Sequence, residues 1–160
     1  MGEFDIIYRD NYKKLFAIAY KIMNDKDVAS DVIQEIFVSY YEKSNNGHII
    51  NSPPHWLLRA TINKCIDYSK RQKKFSNLDV LNNQCSTDET DKYYSYVALK
   101  QAVNKLNDRD IKLVVLYSEG YSYKEISQIT KIEFTSIGKT LSRALVKLKE
   151  ILKTLNYETY

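Results

Sequence analysis

Apolar residues recur along most of this chain at spacings of three and four, the signature of helices that bury one face. Phe4, Ile7, Tyr8, Tyr12, Leu15, Phe16, Ala19, Ile22 and Met23 form one such stripe and predict a helix over 4–23. A polar turn follows, in which Asp25 or Asp27 can cap the next helix. That helix spans about 27–41, with Val28, Ala29, Val32, Ile36 and Tyr40 as its core stripe and Ile33 and Phe37 flanking it. Asp31, Gln34 and Glu35 stay on the exposed arc. The segment Ser44–Ser52, SNNGHIINS, has the turn-forming residues of a loop. Pro53 and Pro54 then open a third helix, since proline fits a first turn, where its missing N–H costs nothing. Trp56, Leu57, Ala60, Ile62, Cys65 and Ile66 would seat it, and it ends in the basic cluster Lys70, Arg71, Lys73 and Lys74.

The pattern then breaks. Residues 75–91 have no sustained periodicity, are rich in Asn, Ser, Thr and Asp, and carry only acidic charge. A linker between two domains, 1–74 and 92–160, is expected. Beyond it the helical pattern restarts. Tyr96, Val97, Leu99, Ala102, Val103 and Leu106 mark a helix over 93–106, and Asn107 or Asp108 caps the next, over 109–118, with Ile111, Val114, Val115 and Leu116 as core. Gly120 ends it. Ser122 with Glu125 three residues on is a capping box for a short helix over 123–130. After a turn at 131–134 a long helix over about 135–152 carries Ile137, Leu141, Ala144, Leu145, Leu148 and Ile151 on one side. The fold class is all-α: an N-terminal domain of three to four helices and a C-terminal domain of four, joined by a flexible linker.

Composition adds limits more than detail. The 44% apolar residues suffice for a core, and a net charge of +4 does not by itself announce nucleic acid. Local clustering of charge therefore has to carry any such argument. Two cysteines make no disulfide framework, which favours a reducing, cytoplasmic setting. The N-terminus lacks the basic and apolar regions of a signal peptide, and no apolar run approaches the ~20 residues of a membrane span. No cofactor or metal is expected. His48 and His55 lack zinc-ligand spacing, no glycine-rich phosphate loop is present, and Cys65 lies on an apolar stripe, unlike a nucleophile.

A short helix, a brief turn and a longer basic helix from Ser122 to Lys149 have the layout of a DNA-binding helix-turn-helix. Ser136, Lys139, Thr140 and Arg143 lie opposite the apolar stripe, and Lys147 and Lys149 continue the positive charge. Taken alone, a plain helical hairpin has the same periodicity. The helix after Pro53 is equally open by itself, either a basic face for a polyanion or a solvated surface.

Two ordered sets of residues resolve this by resemblance. DVIQEIF (31–37) resembles the D-x-x-Q-E-x-F segment of bacterial RNA polymerase sigma factors of the small, two-domain, extracytoplasmic-function type in the sigma-70 family. WLLRATINKCIDYSKR (56–71) resembles the same family's W-L-x-x-I-A-x-N-x-x-x-D-x-x-R pattern through Trp56, Leu57, Asn63, Asp67 and Arg71. In the second half LNDRD (106–110), YSYKEIS (121–127) and SIGKTLSRALVKL (136–148) resemble its L-P-x-R-x, G-x-S-x-x-E-I-A and T-V-K-S-R-L-x-R-A-x-x-x-L elements.

The resemblance implies a non-enzymatic subunit that binds core polymerase, directs it to promoters and nucleates melting. Asp31, Gln34, Glu35 and an exposed Phe37 would dock on the polymerase clamp helices. Asn46, His48, Asn51, Asn63 and Asp67 would meet unpaired −10 bases, with Lys64, Lys70, Arg71, Lys73 and Lys74 on the phosphates. Ser122, Lys124, Thr135, Ser136, Lys139, Thr140, Arg143 and Lys147 would engage the −35 duplex. Leu106 to Arg109 and the final helix would lie near the polymerase flap, and an anti-sigma factor would be a further partner. The chain departs from the family at several points. Gly138 and Thr140 stand at customary basic positions, Ser127 at an alanine, Lys131 at the turn glycine and Glu133 at the capping serine. Gly138 admits either close approach to the DNA backbone or a helix that starts later. The alternatives are a stand-alone helix-turn-helix regulator and a sigma-like interaction module without −35 binding.

Overall fold

The computed structural model describes residues 1–75 and 97–157, the side chains of 73–75 and 156–157 excepted. These residues form helices α1 (Glu3–Met23), α2 (Lys26–Asn45), α3 (Pro53–Phe75), α4 (97–104), α5 (Asp108–Ser118), α6 (Tyr123–Thr130) and α7 (Phe134–Tyr157), with no strand among them. The chain divides into two compact units, Met1–Gln72 and Lys73–Tyr160. The linker expected over 75–91 and the start of the fourth helix lie outside the described residues, apart from Phe75, which still belongs to α3.

In the first unit, local hydrogen bonds set the helix ends. The Gly2 N–H donates to the Asp5 carboxylate at 2.9 Å. Asn24 takes the left-handed conformation (φ 53°) and its N–H donates to the Tyr20 carbonyl at 2.7 Å. Of the two candidate caps it is Asp25 that acts, accepting from the N–H groups of Asp27 and Val28. The helix it starts runs to Asn45, four residues beyond the expected end, so Ser44 and Asn45 are helical and the loop begins at Asn46. The core is built from Leu15, Ile18, Ala19 and Met23 of α1, Val32, Ile33, Ile36, Phe37 and Tyr40 of α2, and Leu57, Leu58, Ile62, Cys65 and Ile66 of α3. Each fully buried Leu or Ile contributes roughly 1.5–3 kcal/mol. Thr61 is buried too, because its hydroxyl donates to the Leu57 carbonyl one turn back at 2.8 Å and leaves no unpaired donor.

Aromatic rings at every fourth position of α1 make a row. Phe4, Tyr8, Tyr12, Phe16 and Tyr20 follow one another at centroid distances of 6.2, 5.2, 6.0 and 6.3 Å. The N-terminal end of the row packs on α2: Phe4 meets Phe37 edge-on at 6.3 Å and Tyr8 meets it at 4.6 Å. Burial, and after it the charge of Glu3, pushes the Tyr40 phenol up.

In the second unit Asn107 is the α5 cap, its side-chain oxygen accepting from the Asp110 N–H at 2.8 Å. Gly120 ends the helix at φ 87°, a conformation a side chain would strain. The core holds Ala102, Leu106, Ile111, Leu113, Leu116, Ile126, Ile129, Ile137, Leu141, Ala144 and Leu148. Two expectations shift here. Leu113, rather than Val114 or Val115, joins Leu116 as a fully buried residue of α5, and Leu99 is exposed. Asp110 is 2% exposed in the middle of this apolar set.

Candidate nucleic-acid interfaces

The exposed arc of α2 forms a shallow groove, largely open to solvent, lined by Asp31, Gln34, Glu35, Val38, Ser39 and Glu42. These positions repeat at three and four, so the helix itself aligns them. Phe37 does not join them. It is 2% exposed and packed against Phe4 and Tyr8, which corrects the expectation of an exposed ring at this face. Periodicity leaves a flanking residue undecided; the α1 aromatic row decides it. The apolar side chain on the groove is Val38, 56% exposed, one i+3 step from Glu35 and visible in the same spacing.

The loop between α2 and α3 is tight at its start. The Asn46 N–H donates to the Glu42 carbonyl, Gly47 turns at φ 81°, and the His48 N–H reaches back to the Lys43 carbonyl at 3.1 Å. This turn holds Asn46, His48 and Asn51 at the surface, with Ile49 89% exposed among them. The Ser52 carbonyl then accepts from the Trp56 N–H and starts α3. Trp56 is half-buried and tilted against Tyr40 at 5.9 Å, as befits a core anchor.

Along α3, Asn63, Asp67, Lys70 and Lys74 follow at four, three and four residues and share one arc, with Arg71 beside it. Asn63 is half-buried; Asp67, Lys70 and Arg71 are exposed. Lys73 and Lys74 lie in the last helical turn. Lys64 points to α2 and pairs with Glu35, Nζ to Oε2 2.7 Å. One residue of the −10 set and one of the docking set are therefore ion-paired to each other. Cys65 is fully buried among apolar neighbours, and burial pushes its thiol up to about 12. It is no nucleophile at neutral pH.

The helix-turn-helix has the expected geometry. Ser122 and Glu125 form the capping box, the Glu125 N–H donating to Ser122 Oγ at 3.2 Å and the Ser122 N–H to Glu125 Oε2 at 2.8 Å. The turn departs from its family pattern and compensates locally. Lys131 adopts the left-handed conformation (φ 65°) that glycine would take without cost. Ser127 donates to the Ile132 carbonyl at 2.6 Å, and the Ile132 N–H donates to Thr130 Oγ1. On α7, Thr135, Lys139 and Arg143 are exposed, while Ser136 and Thr140 are half-buried; Lys124 is exposed at the start of α6.

Of the two readings of Gly138, the later helix start is excluded. The helix starts at Phe134, before the glycine, and a Cβ at position 138 would meet the ring of Tyr123 at 3.4 Å. That is ordinary van der Waals contact with an exposed ring. The Lys147 side chain is 56% exposed and bends back over the second unit, with Nζ 3.5 Å from Asp110 Oδ2. The other oxygen, Oδ1, has Arg109 Nε at 3.6 Å and accepts no hydrogen bond among the described groups.

The Sigma-70 region 2 family matches residues 7–75, and the Sigma-70 region 4 family matches residues 96–148. Together they take in most of the chain, in family order. The chain belongs to the sigma-70 family, in its extracytoplasmic-function group. It is a sigma factor, the subunit through which RNA polymerase is brought to promoters.

Relatives agree along nearly the whole length. The chain is 21% identical over 154 residues to the ECF RNA polymerase sigma factor SigM of Mycobacterium tuberculosis, covering 96% of this chain and 79% of that protein. It is 25% identical to RNA polymerase sigma factor YlaC of Bacillus subtilis, covering 90% of this chain and 88% of that one. It is also 25% identical to ECF RNA polymerase sigma factor SigW of the same organism, covering 93% and 87%. Among solved structures, the sigma factor RpoE of Bartonella quintana, crystallised with the anti-sigma factor NepR, shares the fold with a TM-score of 0.58 at 21% identity, covering 96% of this chain and 98% of that one.

Proposed function

We propose that the two units divide the promoter between them. The first, residues 1–74, docks on the polymerase clamp helices through the α2 groove and captures unpaired −10 bases with the loop after α2 and the polar arc of α3. The second, residues 92–160, holds the −35 duplex with the N-terminal parts of α6 and α7. The protein contributes binding and no catalytic step, acts in the cytoplasm, and is held in reserve by an anti-sigma factor. No helix of the described residues is long and apolar enough to cross a membrane.

The observation that carries this reading is the arrangement in the first unit. An acid-lined groove on α2 adjoins, through Tyr40–Trp56 and Glu35–Lys64, a helix whose outer arc alternates amide, acid and cation. Asp31, Glu35 and Glu42 suit a basic partner helix. Asn63 and Asp67 offer hydrogen bonds to base edges, while Lys70 and Arg71 neutralise phosphate. On the second unit Lys139 and Arg143 supply the charge, and Thr135 and Ser136 sit in the first turn of α7, where base edges are reached.

Run-off transcription with core polymerase tests the whole reading. The wild type should initiate from a candidate promoter only when core polymerase is present. Asp31→Ala with Glu35→Ala should lose core binding at least tenfold, and unchanged core binding would reject the α2 assignment. Asn63→Ala should change −10 base preference without weakening core binding.

A further inference from the structure

Glu35 and Lys64 sit on different helices and on faces that serve different partners under the function proposed above, on which this inference rests. In the free chain they are paired to each other at 2.7 Å. Their side chains are 59% and 40% exposed, so neither charge is trapped and both can exchange partners. Lys64 also stands one residue from Asn63, on the side of α3 that meets α2. Its long stem can carry the ammonium either to Glu35 or towards the arc of Asn63, Asp67 and Lys70.

We propose that this ion pair is an exchangeable link between polymerase docking and −10 DNA capture. In the free chain Glu35 restrains the Lys64 ammonium. A cationic side chain entering the α2 groove competes for the same carboxylate and repels Lys64, which turns to a DNA phosphate. The link works in both directions: phosphate drawing Lys64 away frees Glu35 for the groove's cationic partner. Binding at each face therefore tightens the other by one and the same factor. An exposed ion pair sets that factor at roughly twofold to fivefold. The free protein consequently holds DNA more weakly than the docked one by that same small factor.

The test titrates the full-length protein, without polymerase, against fluorescein-labelled oligo(dT) of twelve nucleotides at several salt concentrations. Glu35→Gln should tighten binding roughly twofold to fivefold. It should also steepen the logarithmic salt slope by about 0.7, the release expected for one more single-strand phosphate contact. Lys64→Gln should weaken binding, and adding Glu35→Gln to it should restore little. Glu42→Gln, which makes the same change of net charge in the same groove, should give a clearly smaller gain. The proposal is overturned if Glu35→Gln leaves affinity and slope unchanged, if its gain survives in full beside Lys64→Gln, or if Glu42→Gln matches it. The reciprocal arm measures affinity for core polymerase. Lys64→Gln should tighten it by a similar factor, and unchanged or weaker binding overturns the link. A wild type that binds no core at all would reject the docking reading, while the oligonucleotide arm still decides whether Glu35 restrains Lys64.

Discussion

Each unit of this sigma factor ties one lysine of its presumed DNA set to an acid on another helix, and the two pairs differ in where the acid lies. Glu35, the partner of Lys64, is more than half exposed, whereas Asp110, the partner of Lys147, is 2% exposed. Water can replace either member of the first pair at little cost, so that pair is available for exchange. The second pair cannot open so easily. If Lys147 leaves, the buried Asp110 carboxylate keeps only Arg109, 3.6 Å from Oδ1, an oxygen that already lacks a hydrogen bond among the described groups. The same residue type with the same kind of partner is thus a switchable contact in one unit and a structural brace in the other. Lys147, 56% exposed, thus has a structural task in joining α7 to α5 besides any contact with phosphate.

This contrast can be broken by measurement, because Trp56 is the single tryptophan and its fluorescence follows the first unit alone. The largest effect belongs to the buried pair. Lys147→Ala should cost the second unit about 1–3 kcal/mol. Urea unfolding followed by circular dichroism should shift while the Trp56 transition stays in place. An unshifted second transition would make Lys147 a DNA contact after all.

The buried titratable group of the first unit is Cys65, whose thiol carries no charge at neutral pH. The Cys65 thiol ordinarily ionises near 9.0 and is pushed up to about 12 by burial. Below pH 9 both folded and unfolded thiols are protonated, and the group leaves stability independent of pH. Above it the unfolded chain releases its proton first, so stability falls as pH rises towards 12, by at most about 1.4 kcal/mol per pH unit. The urea midpoint from Trp56 fluorescence should drop between pH 9 and 11 more steeply in the wild type than in Cys65→Ala. Parallel slopes would mean that the thiol is hydrated.

The turn between α6 and α7 should respond by about 1 kcal/mol. Lys131→Gly relieves the left-handed strain and should raise the second unit's midpoint. Ser127→Ala removes the hydroxyl that pins Ile132 and should lower it by a similar amount. Equal midpoints for Lys131→Gly and the wild type would show that the local hydrogen bonds already offset the strain. The smallest stability change is expected for the exposed pair. Lys64→Ala should move the Trp56 transition by less than about 1 kcal/mol while weakening oligonucleotide binding. A larger loss of stability would make the two pairs alike and remove the basis of the link between docking and DNA capture.

Helix ends were legible in the sequence wherever they depend on bonds three or four residues long. Ser122 with Glu125, Asn107, Asp25 and Gly120 act where their residue types predict. The docking arc of α2 was legible for the same reason, as a repeat of three and four. Phe37 was not, because the period leaves it on the edge of the stripe and only contact with Phe4 and Tyr8 makes it core. Thr61 was missed because its polarity counts against burial until its own i−4 carbonyl is seen to accept the hydroxyl proton. The neighbour of Gly138 was not legible either, since Tyr123 lies fifteen positions earlier on another helix.

What the sequence determined alone is therefore what lies within one helical turn: the helices, their caps, the exposed arcs and the family motifs strung along them. The tertiary structure decided which charges are already committed. A lysine's charge is evident from its letter, but whether it faces solvent, a carboxylate such as Glu35 or a buried one such as Asp110 depends on how helices pack. That packing joins residues as far apart as Asp110 and Lys147, separated by 37 positions. The energy of an ion pair is set by this surrounding dielectric more than by the two residues that form it.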